Sequence, residues 1–161
     1  MLRRTHLALL QAFRRLPRPA RRFAVRRIYP SYTVGAMCIV ERSDGAMLFV
    51  RHSYRGRWGV PGGMLDRGEE PAAAARREAR EEVALDIDTV GEPTVVVDPG
   101  ARRVDIVYRA RPIASASLDE IHASSPEIVE VRWFPRDELP ELQHETAGAL
   151  ATVARRASER R

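Results

Sequence analysis

Apolar positions along the chain change period several times, and each change predicts an element. Between residues 2 and 16, Leu2, His6, Leu9, Leu10, Phe13 and Leu16 recur at helical spacing, with Arg3, Arg4, Arg14 and Arg15 mostly on the other face. This spacing predicts a basic amphipathic helix that Pro17 and Pro19 stop. Ala20, Phe23, Ala24 and Ile28 predict a further short turn or two before Pro30. From Tyr32 the pattern becomes that of strands. Thr33 to Val40 and Ala46 to His52 are apolar runs separated by Ser43-Asp44-Gly45, which predicts a β-hairpin. Thr94 to Val97 and Arg103 to Arg109 flank Asp98-Pro99-Gly100 and predict a second one. Ile128 to Phe134 reads as another strand and Thr146 to Arg160 as a closing helix. Residues 112 to 126 lack periodicity and read as a mobile loop.

Composition narrows the class. With 161 residues the chain suits one ordinary domain plus an appendage, here residues 1–30 ahead of 31–161. No apolar run is long enough to cross a bilayer. Cys38 is the lone cysteine, which excludes an internal disulfide and a cysteine-built zinc site; a buried thiol fits a cytoplasmic, reducing setting. All 27 basic residues are arginine, and the net charge of +5 is unevenly spread. Nine arginines and no acid precede residue 31, leaving 18 arginines against 22 acids, or −4, in the remainder. The appendage could therefore cover an apolar patch on its own domain, pair with a second copy in a homodimer, attach to an anionic membrane surface, or act as a targeting peptide. Nucleic acid is the less favoured partner.

The densest chemistry lies between residues 62 and 85. Pro71 suits a first helical turn and Ala72 to Ala75 are strong helix formers, so a helix runs from about Pro71 to Val83. Glu78, Glu81 and Glu82 then fall on one narrow arc. Like charges at this spacing cost roughly 0.2–0.5 kcal/mol per pair, and they sit at the end where the helix dipole is already negative. Such an acidic face asks for positive charge. Arg76, Arg77 and Arg80 could supply it as a solvated ion-pair network, whereas a divalent cation with a preference for carboxylate oxygen supplies it better. Gly62, Gly63 and Gly68 favour the second reading, because a glycine loop running into an acidic helix lets the backbone approach a ligand.

At these residues the chain resembles the Nudix hydrolase family. Gly63, Glu69, Arg77-Glu78, Ala79, Glu81-Glu82 and Leu85 match the box G-x5-E-x7-R-E-U-x-E-E-x-G-U, where U is aliphatic. Ala84 stands where the box has its last glycine, at a turn where a left-handed residue other than glycine costs about 1–2 kcal/mol. The resemblance, which covers roughly residues 32 to 150, implies an α/β fold: an α/β/α sandwich with a mixed β-sheet, preceded here by the basic amphipathic extension. It implies hydrolysis of the pyrophosphate linkage of a nucleoside diphosphate derivative such as ADP-ribose, an NDP-sugar, a dinucleotide or a nucleoside triphosphate, with Mg2+ or Mn2+. The alternative is a nucleotide-binding module of the same fold without turnover.

Carried over residue by residue, Glu78, Glu81 and Glu82 would be metal ligands, joined by the carbonyl of Gly62 or Gly63, and Glu69 would pair with Arg77. The general base would be Glu82, through a metal-held water, or Glu127 or Glu130. These last two point to opposite sides of a regular strand, and Glu127 is the preferred candidate. Arg51, Tyr54, Arg57 and Trp58, with His52 and Arg55 beside them, are candidates for holding phosphate and stacking a base.

Overall fold

The computed structural model of the protein describes residues 10–159. The chain divides into two compact units, Met1–Tyr32 and Thr33–Arg161.

In the first unit, residues 10–15 are helical, and the N-terminal part of the expected amphipathic helix lies outside the described residues. Helix α1 then spans Arg18–Ile28, longer than the turn or two expected. The helical residues 10–15 end at the prolines as expected, and a proline in the first turn forfeits no helical hydrogen bond, so the same prolines also open α1. Phe23, Val25, Ile28 and Tyr29 are all exposed.

The second unit holds seven strands: β1 (Thr33–Val40), β2 (Met47–His52), β3 (Trp58–Gly59), β4 (Gly62–Met64), β5 (Ile87–Asp98), β6 (Arg103–Pro112) and β7 (Ile128–Phe134). Helix α2 (Pro71–Val83) follows β4, and α3 (His144–Glu159) closes the described chain. One sheet has the order β4-β1-β6-β5 and the other β3-β2-β7. The first is mixed: β1 runs parallel to β6 and antiparallel to β4. The expected β5–β6 hairpin is present, with a register shift between Val90 and Thr94.

The expected β1–β2 hairpin is corrected. The two strands share one isolated bridge, Glu41 to Met47, and otherwise enter different sheets, β1 against β6 and β2 against β7. The turn residues behave as expected, with Gly45 N–H donating to the Arg42 carbonyl and Gly45 at positive φ. They redirect the chain from one sheet to the other. A parallel partner far along the sequence leaves no local signature, so the nearest apolar run looked like the partner.

Both faces of β1 are buried, which makes the sandwich. Ala36, Cys38 and Val40 face Ala74, Ala75, Ala79 and Val83 of α2. Met37 and Ile39 join Phe49, Val107 and Ala149 of α3 in a second cluster. The small residues of α2 let it lie close on the sheet: Cys38 Sγ is 3.7 Å from the Ala75 carbonyl oxygen. Burial pushes the Cys38 thiol far up, so it is a packing residue and no nucleophile.

Ala84 adopts the left-handed conformation, φ 55 and ψ 33, that the box position demands. Its N–H donates to the Arg80 carbonyl at 3.0 Å, and Leu85 N–H donates to Ala79 at 3.3 Å. The turn is thus kept without glycine, and Leu85 is delivered to the core, 1% exposed. Residues 112 to 126 are more anchored than a bare loop: they include a short helical turn, Leu118–Glu120, and Ala116, Leu118 and Ile121 pack on the core. Ser124 N–H donates to the Glu82 carbonyl at 3.0 Å, tying this segment to the acidic end of α2.

Candidate active site

Arg77 organises the acidic face of α2. Its Nε and Nη2 donate to Oε1 and Oε2 of Glu69 at 2.9 and 3.0 Å, a two-pronged pairing. Nη1 donates to Glu78 at 2.8 Å and to Glu81 at 3.0 Å, and Nη2 also reaches the Met64 carbonyl at 3.2 Å. Glu69 accepts a further bond from Asp66 N–H at 2.9 Å. The Arg77 guanidinium and this backbone donor hold the Glu69 carboxyl down at about 2. Glu69, Arg77 and the loop thereby form one clamp around the start of the box, the pairing that the resemblance implied.

Glu82 lies deeper, at 6% exposure. Its Oε2 accepts from Gly62 N–H at 3.1 Å, and its Oε1 is 3.4 Å from His52 Nε2. Glu78 lies against Gly63, where any Cβ would overlap its carboxylate; this close approach is what requires glycine there. Burial pushes the Glu78 carboxyl up, Arg77 partly offsets this, and the negative charges of Glu82 and Glu81 add to the rise. Glu81 is the outermost of the three, its side chain 57% exposed. Among the described residues, no three acidic, histidine or cysteine side chains are gathered around a common point, and Arg77 Nη1 stands between Glu78 and Glu81.

These groups line a cleft of about 460 Å3. Of the residues expected from the sequence, it brings together Gly62, Gly63, Arg77, Glu78, Glu81, Glu82, His52, Tyr54, Arg55 and Glu127. Glu69 sits behind this wall as the clamp. Three expected substrate residues are corrected. Arg51 pairs with Glu130 at 2.6 Å, Arg57 pairs with Glu141 at 2.7 Å, and Trp58 packs edge-on against Phe134 with ring centroids 5.0 Å apart. None of the three lines the cleft: Arg51 on β2 is drawn to Glu130 of β7, Arg57 just before β3 to Glu141 ahead of α3, and Trp58 on β3 into the cluster that holds Phe134 and Ala149. Glu130 is likewise held by Arg51 and Arg132 on β7, whereas Glu127 precedes the strand and faces the cleft.

Arg103, Ser125, Gln143 and Glu145 line the cleft without having stood out in the sequence. Arg103 arrives because β6 pairs in parallel with β1, and it is steadied by Asp105 at 2.7 Å. Gln143 arrives from the segment just before α3. No spacing within the sequence signals either residue.

Comparison with known proteins agrees with this architecture. The NUDIX domain family matches residues 31–156. The chain is 32% identical over 117 residues to a MutT-like protein of Streptomyces ambofaciens, covering 72% of each. It is 31% identical over 113 residues to the 8-oxo-dGDP phosphatase of Mus musculus, covering 68% of this chain but 33% of that protein. It is 34% identical over 112 residues to the ADP-ribose pyrophosphatase of Mycobacterium tuberculosis, covering 63% of this chain and 52% of that protein. Several of these relatives are thus two to three times longer than the matched part. Among solved structures, a MutT NUDIX hydrolase from Burkholderia pseudomallei superposes with a TM-score of 0.64 at 30% identity, over 76% of this chain and 98% of that one. A NUDIX hydrolase from Nitrosomonas europaea gives 0.66 at 26% identity, over 76% and 69%. With the family model matching residues 31–156 and the sandwich superposing on these solved structures, the chain belongs to the NUDIX domain family, that of the Nudix hydrolases.

Proposed function

We propose that the cleft hydrolyses the pyrophosphate linkage of a nucleoside diphosphate derivative with the help of Mg2+ or Mn2+. The observation that carries this reading is the set of three carboxylates, Glu82 buried and Glu78 half-buried, opening onto one cleft beside a glycine that has no room for a side chain. The donor set fits a hard divalent cation: Glu78, Glu81, Glu82 and the carbonyl of Gly62 or Gly63 offer oxygen alone. When bound, the cation neutralises the pyrophosphate and acidifies the attacking water.

The protein's own residues supply the rest. Arg103 and Arg55 line the same cleft and serve as phosphate partners, and Tyr54, 64% exposed, offers a face for a base. Glu127 takes the proton from the attacking water. Relatives are named for 8-oxo-dGDP, for ADP-ribose and for a CMP-linked phosphonate, and all three contain a nucleotide. A panel of ADP-ribose, an NDP-sugar, a dinucleotide and deoxynucleoside triphosphates, with product identification, tests this. Cation-dependent release of a nucleoside monophosphate is the expected result. Tight binding of these compounds without turnover would overturn it in favour of a nucleotide-binding module.

The basic unit supports a second reading, a cytoplasmic protein held at an anionic lipid surface. Phe23 and Ile28 of α1 are 69% and 72% exposed and stand among Arg18, Arg21, Arg22, Arg26 and Arg27 in a helix whose sequence holds no acid. Each arginine close to such a surface contributes about 1 kcal/mol, and the apolar side chains sink below the headgroups. No described helix is long and apolar enough to cross a membrane. Sedimentation with phosphatidylglycerol-containing vesicles should fall several-fold at high salt and be abolished by removing residues 1–30. Equal binding to neutral vesicles, or binding to DNA alone, sinks this reading.

A further inference from the structure

Along one wall of the cleft, three polar side chains are almost fully buried in a row: Gln143 at 7%, His52 at 8% and Glu82 at 6% exposure. Burial of this kind requires every polar atom to find a partner, and the partners here fix where protons sit. Gln143 Oε1 accepts from Arg55 Nη1 at 2.8 Å, and a guanidinium can only donate. Gln143 Nε2 donates to the Arg57 carbonyl at 3.0 Å, and a carbonyl can only accept. These two neighbours leave the amide a single orientation. Gly59 makes room for it, since a Cβ there would lie 3.1 Å from both Oε1 and Nε2 of Gln143.

The second N–H of Gln143 then points at His52 Nδ1, 3.3 Å away. A donor facing that nitrogen demands a bare lone pair on it. The ring's proton must sit on Nε2, which faces Glu82 Oε1 at 3.4 Å. Glu82 Oε2 is already engaged by Gly62 N–H at 3.1 Å. Tyr54 caps the imidazole, ring centroids 5.4 Å apart, and limits its rotation. We propose that His52 and Gln143 are positioning residues: Gln143 locks His52 in the Nε2–H tautomer, and His52 with Gly62 aims the Glu82 carboxylate into the cleft. This rests on Glu82 being one of the cation-holding carboxylates of the proposed hydrolase, but the tautomer follows from the hydrogen bonding alone.

The two layers are separable by experiment. Nitrogen-15 spectra of the histidine-labelled full chain, free of metal and at mildly alkaline pH, should show His52 protonated at Nε2 and bare at Nδ1. In Gln143→Leu the two tautomers should mix. A wild-type ring protonated at Nδ1 would overturn the proposal whether or not any substrate is turned over. For the consequence, His52→Leu should lower kcat about 10- to 100-fold with KM changed little, while His52→Gln, which keeps a donor toward Glu82, should recover most of it. A His52→Leu protein that folds and retains full kcat would also overturn it. Intact tautomer control with no turnover in any variant would instead fault the hydrolase reading and leave the lock standing.

Discussion

Replacing Glu82 with glutamine is expected to lower kcat by about a thousandfold, within the range of roughly 10^2–10^4 for a group that handles protons or charge in the reaction. The substitution keeps shape and keeps an oxygen for Gly62 N–H, so the loop between β4 and α2 should hold its path. What disappears is one buried negative charge beside Glu78, whose carboxyl burial and its acidic neighbours have already pushed up. Removing that repulsion should leave Tm unchanged or slightly higher. The joint outcome is informative: a loss of kcat in a protein at least as stable as the parent cannot be assigned to unfolding. Steady-state kinetics with the best substrate of the panel, together with thermal denaturation, measure both. A kcat within about threefold of the parent would remove Glu82 from the chemistry. Glu81 provides the contrast, because its side chain is 57% exposed and paired with Arg77 alone, so the same replacement there should cost less.

Much of this site could be read from the sequence, and the boundary of what could be read has a physical cause. The helix Pro71–Val83, its acidic arc and the Glu69–Arg77 pair all lie within one continuous segment, where spacing converts directly into geometry. Ala84 is legible for the same reason: position alone demanded a left-handed residue, and alanine supplies it. The opposite side of the cleft is assembled from distant segments. Arg103 depends on a parallel pairing of β6 with β1, Gln143 on the approach to α3, and Glu127 on a strand that begins one residue later. Arg51, Arg57 and Trp58 show the reverse failure. They lie beside the box in sequence, yet pairing with Glu130 and Glu141 and packing against Phe134 take them elsewhere. A cluster of arginines and aromatics specifies a capacity to bind anions and bases; the strand's partners decide which way it faces.

Replacing Arg77 with alanine is expected to be the most destabilising change at the site. It removes five donated bonds, to Glu69 twice, Glu78, Glu81 and Met64, and leaves the half-buried Glu78 beside Glu82 without a counter-charge. Stranding a charge of that kind costs on the order of 2–3 kcal/mol, which for a domain of this size lowers Tm by roughly 6–12 °C. The pH dependence identifies the cause. Glu69 is held at about 2 in the folded protein and titrates near 4.3 when unfolded, so its contribution is present above the unfolded value and is lost as pH falls toward 2. In the alanine variant this shift should largely vanish, and the decline of stability through that acid window should become shallower than in the parent. Parallel unfolding curves at several pH values measure it; equal slopes would mean that Arg77 does not hold Glu69. Arg77→Lys separates charge from geometry, since lysine restores the positive charge without the fork that grips both oxygens of Glu69. It should recover part of the stability but only a minor part of the activity, because the clamp sets how Glu78 and Glu81 stand at the cleft wall.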